Sequence, residues 1–224
     1  WAPAAPATAP PPSTEAQDAV VTPGAIYKGL ALAQTQSGPL LYAADFSAGT
    51  VDVYNGSFQR VITDGNFEDR QLPAHFAPFN VAVLGGKVYV AYAKQDADKE
   101  DEIAGPGLGR VDVFNIDGVL LHRLSQHGSL NAPWGLTIAP SGFGQFSGDL
   151  LVGNFGDGLI HAYNPTTLRL LGAVRNGHHD PISIDGLWAL LPGNGVEAGT
   201  DEVIFTAGPG DEEHGLLGTL SVRH

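Results

Sequence analysis

Carboxylates at alternate positions, Asp96, Asp98 and Glu100, followed by Asp101 and Glu102, form the densest acidic stretch of the chain. Side chains spaced this way can converge on a hard cation such as Ca2+, which takes about six to eight oxygen ligands. The glycine that an EF-type loop needs at its sixth place is Asp101 here, so a solvated acidic loop is the competing reading. A second candidate is His214 beside Asp211 in Pro209–Gly215, where an imidazole next to carboxylates can act as a general base or bind a metal. The cluster His178, His179 and Asp180 is similar, and either histidine gains weight only if two such groups face one another across a cavity. There is no Gly-x-Ser-x-Gly elbow, no cysteine nucleophile and no His-x-x-x-His pair, which disfavours a covalent hydrolase. Gly105-Pro106-Gly107-Leu108-Gly109 lies between strand patterns, so its glycines make turns and not a dinucleotide loop.

The elements that must position these groups repeat. Gly49-Thr50-Val51-Asp52-Val53-Tyr54 returns as Gly109-Arg110-Val111-Asp112-Val113-Phe114 and as Gly158-Leu159-Ile160-His161-Ala162-Tyr163, with Gly215 to Leu220 a degenerate fourth copy. Apolar strands precede them at Lys28 to Leu32, Phe79 to Val83, Trp134 to Ile138 and Trp188 to Leu191, their second residues 51, 55 and 54 apart. Between these two landmarks run Leu41 to Phe46, Val88 to Ala93, Leu150 to Phe155 and Val203 to Gly208. A fourth strand follows in three units, at Phe58 to Ile62, Val119 to Leu124 and Leu168 to Val174, after turns at Asn55-Gly56, Asp117-Gly118 and Asn164-Pro165. Four short antiparallel strands recurring in units 23–65, 76–126, 131–176 and 184–222 predict an all-β chain, a β-propeller with four-stranded antiparallel blades. A β-sandwich is the alternative, but gives no reason for the same strand order to recur. Residues 1–18, rich in Pro and Ala, read as a linker or loop, and Ala19 to Thr22 as an orphan outer strand.

Composition agrees with a soluble, mainly β protein: 43% hydrophobic residues, 30 Gly, 16 Pro and no apolar run long enough to span a membrane. A net charge of -13 with only 11 Lys and Arg argues against nucleic acid as a partner. With no cysteine, there is no disulfide framework. The chain holds no methionine, even at position 1, and so reads as a mature or cut form.

Superposing the repeats puts Lys28, Phe79, Trp134 and Trp188 at one equivalent position, and Asp45, Tyr92, Asn154 and Ala207 at another. In a propeller both fall at the end where the longer connections emerge around the channel. Polar and aromatic residues mixed at such positions suit a small ligand, so Lys28, Asp45, Asn80, Tyr92, Trp134, Asn154, Asp185 and Trp188 are the candidate ligand-binding residues. The competing reading packs the tryptophans in the core and uses Asp45 and Asn154 to bond neighbouring turns.

At Ala77-Pro78-Phe79-Asn80, Tyr92 to Lys99, Asn131-Ala132-Pro133-Trp134-Gly135-Leu136 and Gly148 to Gly158, the sequence resembles a family of uncharacterised, often exported bacterial proteins. These look like six-bladed propellers of the NHL or lactonase-like kind, and the similarity runs from Tyr27 to Leu220. It implies that the chain is the C-terminal two-thirds of a ring, with Ala19 to Thr22 belonging to a preceding blade and the missing blades supplied by the rest of a precursor or another chain. A closed four-bladed ring is the alternative. It also implies a secreted or periplasmic binding module that takes a small molecule, glycan or protein at its channel face. Likeness to calcium-dependent lactonases implies the other possibility, a hydrolase with Asp45, Asn80, Asn154 and Asp185 around Ca2+ and a carboxylate or His214 handling protons.

Overall fold

Blade one begins where the alternation of small and large apolar residues in Lys28 to Ala33 lets one strand face of the sheet pack inward. The computed structural model describes residues 17–124 and 128–222, and the part of the Pro/Ala-rich segment up to residue 16 lies outside them. Blade one is β1 (Tyr27–Thr35), β2 (Gly38–Asp45) and β3 (Thr50–Asn55). Blade two is β4 (Phe76–Leu84), β5 (Lys87–Gln95), β7 (Gly109–Phe114) and β8 (Leu120–Arg123), and a short β6 (Glu102–Ile103) lengthens the edge of β5. Blade three is β9 (Pro133–Ile138), β10 (Leu150–Asn154), β11 (Ile160–Tyr163) and β12 (Leu170–Ala173). Blade four is β13 (Leu187–Pro192), β14 (Val203–Ala207) and β15 (Leu216–Leu220). Every pairing is antiparallel, and the described residues contain no α-helix. β1 packs on β4, β4 on β9 and β9 on β13, so the blades stand side by side in chain order. The fold is a β-propeller.

Two expected strands do not form. Phe58 to Ile62 is reduced to a bridge between Tyr54 and Arg60, held by bonds from Val61 N to Val53 O at 2.7 Å and from Asn55 N to Gln59 O at 3.0 Å. Phe58, at φ 58, stands outside it, and the Arg60 side chain is drawn to Asp52. Ala19 to Thr22 pairs with no strand among the described residues, and the Thr22 hydroxyl instead lies 3.1 Å from the Tyr27 hydroxyl.

Each seam between blades is a core of its own. Tyr42, Val53, Val81, Val90 and Phe114 fill the first, Tyr89, Val113, Leu136, Val152 and Tyr163 the second, and Leu151, Ile160, Ala162, Leu190 and Val203 the third. Among the described residues no comparable packing joins β13 back to β1, so the four blades form an open arc and not the closed four-bladed ring. The ends show it: Val81, Leu136 and Leu190 are 2%, 6% and 2% exposed, whereas Leu30, which holds the same register in blade one, is 60% exposed.

One irregularity recurs in all four blades. On the first strand the register slips after Tyr27, Pro78, Pro133 and Leu187, each paired with Asp45, Tyr92, Asn154 or Ala207. The extra residue is a β-bulge, which re-aims the side chains there. Lys28, Phe79, Trp134 and Trp188 occupy it.

Candidate functional site

The bulges gather aromatic rings at the end of the arc where first strands begin and second strands finish. Phe79 and Trp134 meet edge to face with centroids 4.8 Å apart, and Trp134 and Trp188 do so at 4.6 Å. Phe155, from the connection after β10, lies 4.4 Å from Trp188, and Phe46, from the connection after β2, lies 5.6 Å from Phe79. Phe46 and Phe79 are buried, while Trp134, Phe155 and Trp188 are half-buried and keep part of their surface in the open mouth. Lys28 closes one side, its Nζ 5.6 Å from the Phe46 centroid and 3.0 Å from Asp101 Oδ1. The tryptophans thus pack on their neighbours and keep part of their surface exposed.

The other candidates are tied down individually. Asp45 Oδ1 accepts from Ile26 N at 3.2 Å and Ala48 N at 3.1 Å, the turn-closing role open to it as an Asx residue. Asn80 Nδ2 donates to Trp134 O at 2.7 Å and its Oδ1 accepts from Val81 N, so it locks blade two to blade three. Asp185 accepts from Gly210 N at 3.0 Å and so anchors the loop that carries Asp211 and His214, both of which are exposed. Asn154 Nδ2 donates to Ser129 O at 2.8 Å and Asp157 Oδ1 at 3.1 Å, and its buried Oδ1 has no partner. Tyr92 does not point to the mouth: it packs in the first seam, its buried hydroxyl lacks a partner, and burial raises its pKa.

The acidic loop is built as an extension of the β5 edge. Asp96 N donates to Asp101 O at 2.8 Å, and Asp96 Oδ1 accepts from Glu100 N at 3.0 Å. Burial raises the pKa of Glu102, and Gln95 at the loop's root donates to Phe46 O. Asp96, Asp98 and Glu100 do not converge, and no three His, Asp or Glu residues among the described ones are arranged to hold a metal ion. Of Asp45, Asn80, Asn154 and Asp185, all but Asn154 place an oxygen on a backbone amide.

Sequence reasoning missed two groups. Asn131 and Asp157 bind the mouth loops together: Asn131 Oδ1 accepts from Gly105 N at 2.6 Å and its Nδ2 reaches Asp157 Oδ2 at 3.3 Å. The second is the polar residue inside the repeated third strand, Asp52, Asp112 or His161, which is buried in each case. An acid flanked by valines in an inward strand was the available signal, but strict alternation assigns that face to solvent.

No protein-family model matches the chain. Two uncharacterised proteins of Acanthamoeba polyphaga mimivirus are each 34% identical to it, over 200 and 203 residues that make up 87% of this chain. The chain spans about half the length of these curated relatives, 48% and 51%. Among solved structures, a gluconolactonase from Xanthomonas campestris superposes with a TM-score of 0.58 at 17% identity, over 88% of this chain and 59% of that one. An α-L-arabinanase from Penicillium chrysogenum reaches 0.53 at 13% identity, over 88% of this chain and 58% of that one. At such identities the likeness is one of fold.

Proposed function

We propose that this part of the protein is a binding module that holds a small ring-bearing ligand, a saccharide before others, against the aromatic mouth. The observation that carries the reading is the bulge that every blade places at the same point, which brings Trp134 and Trp188 together with outward surface left uncovered. A half-buried indole face offers apolar contact to the C–H face of a sugar ring at little cost in side-chain entropy. Polar groups for the hydroxyls stand nearby in Lys28 and Asp101, and in the loop held by Asp185. That propellers of similar fold handle sugars and sugar lactones makes saccharides the first class to test.

Tryptophan fluorescence titrated with a panel of neutral and acidic oligosaccharides tests it. The expected result is a saturable shift in emission that Trp188→Ala weakens about ten-fold or more, the cost of roughly 1.4 kcal/mol of lost contact. Emission that shifts equally in Trp188→Ala would place the ligand elsewhere.

A further inference from the structure

Asp52 and Asp112 hold one position in successive blades, and their surroundings differ. In blade one, Asp52 is surrounded by donors: Arg60 Nη2, the Tyr27 hydroxyl at 2.7 Å, and the Tyr54 and Thr50 hydroxyls at 3.4 Å. In blade two, Asp112 is 1% exposed and its Oδ2 finds no donor. Arg123, its cross-strand neighbour on β8, turns away to Asp69 in the connection from blade one, placing Nη2 on Oδ1 and Nε on Oδ2 at 2.8 Å. Gln71 N adds a third bond to Asp69 at 2.8 Å. This two-pronged grip holds Asp69 ionised, with its pKa below the usual range chiefly because of Arg123.

Arg110 stands on the same strand as Asp112, with its Nη1 on Gly107 O at 2.8 Å and Gly109 O at 2.6 Å and its guanidinium 4.9 Å from the Phe76 centroid. No carboxylate pairs with it among the described residues. Asp69, Leu72, Arg110, Asp112 and Arg123 line a cavity of 340 Å³. The charged and titratable groups around Asp112 are therefore Asp69 from the connection, Arg110 on β7, Arg123 on β8 and the Tyr92 hydroxyl on β5. Burial first, and Asp69 second, push the Asp112 pKa up to about 8. At neutral pH the cavity thus holds two guanidinium charges against one carboxylate, an excess of positive charge inside a chain whose net charge is -13.

We propose that this cavity, lined by blade two and the connection leading into it, is an oxyanion site, taking a small carboxylate or a phosphate-like group between Arg110 and Arg123. A planar guanidinium with no carboxylate of its own beside a recess of this size is suited to such a group. Asp112 sets the sign of the site: neutral, it leaves the excess positive charge, and ionised it cancels it.

Acetate and sulfate are suitable probes, because neither changes charge between pH 6.5 and 9 under the assay and any pH dependence belongs to the protein. Isothermal titration of the whole chain should show both binding at pH 6.5 and weakening at least about five-fold by pH 9, as Asp112 ionises. Arg110→Gln should lose about ten-fold or more at pH 6.5 while keeping the far-UV spectrum of the parent. Asp112→Asn, neutral at every pH, should bind as the parent does at pH 6.5 and keep that affinity at pH 9. Failure of both probes to bind the folded parent, an Arg110→Gln that binds normally, or an Asp112→Asn that weakens with pH as the parent does would each overturn the site. Should Arg110→Gln not fold, the pH profile of Asp112→Asn decides alone.

Discussion

Asp112 gives the protein a pH dependence of definite sign. An aspartate titrates near about 4 in an unfolded chain and this one at about 8 when folded. Across that interval the folded state keeps a proton that the unfolded state has lost, so the contribution is full below about pH 4, declines as pH rises and levels off above about 8. His161, whose pKa burial lowers, slopes the opposite way near its own range, so the comparison must be between variants. Melting temperatures from pH 5 to 9 should show the parent losing ground steadily to Asp112→Asn, and parallel curves would mean that Asp112 is ionised in the folded state throughout. Residue chemistry was only partly legible in the sequence. Trp134 and Trp188 could be placed together because repeats align, but whether Asp45 or Asn80 faces a ligand or a backbone amide depends on a turn two or three residues away. Asp112 was hidden because the second blade's seam buries a face that alternation alone assigns to water.

At the scale of elements, turns and bulges carry as much information as strands. Gly158 opens β11 at φ 70, where an added Cβ would lie 2.1 Å from Ile184 O, and Ile184 N in turn donates to Gly158 O at 3.0 Å. Gly158→Ala should therefore cost more than the ~1–2 kcal/mol of a left-handed alanine, and urea denaturation should show it. A loss below about 0.5 kcal/mol, the range of an inert surface change, would mean that blades three and four are not locked at this point. The strands themselves were readable because the β-branched and aromatic runs recur with turn residues between them, and the observed edges of β5, β7 and β10 lie within two residues of those expected. The fourth strand of unit one was not, since its apolar pattern says nothing of the pull that Asp52 exerts on Arg60. Nor were the bulges, whose extra residue leaves the apolar pattern unchanged.

As a whole molecule, the arc displays the same docking surface used and unused. Leu30→Lys should change stability by less than about 0.5 kcal/mol, because no blade among the described residues covers it, whereas Val81→Lys in the same register should cost at least about 3 kcal/mol by burying an unpaired charge. Equal effects, read by urea denaturation, would deny that blade one ends the packed arc. The function proposed rests on what the arc brings together at one mouth. The most direct test is fluorine NMR of the chain labelled with 5-fluorotryptophan, its resonances assigned through Trp134→Phe and Trp188→Phe, during titration with the saccharide that shifts emission. Trp134 and Trp188 should move together along one saturation curve. Movement of neither mouth resonance while the sugar binds would contradict the account.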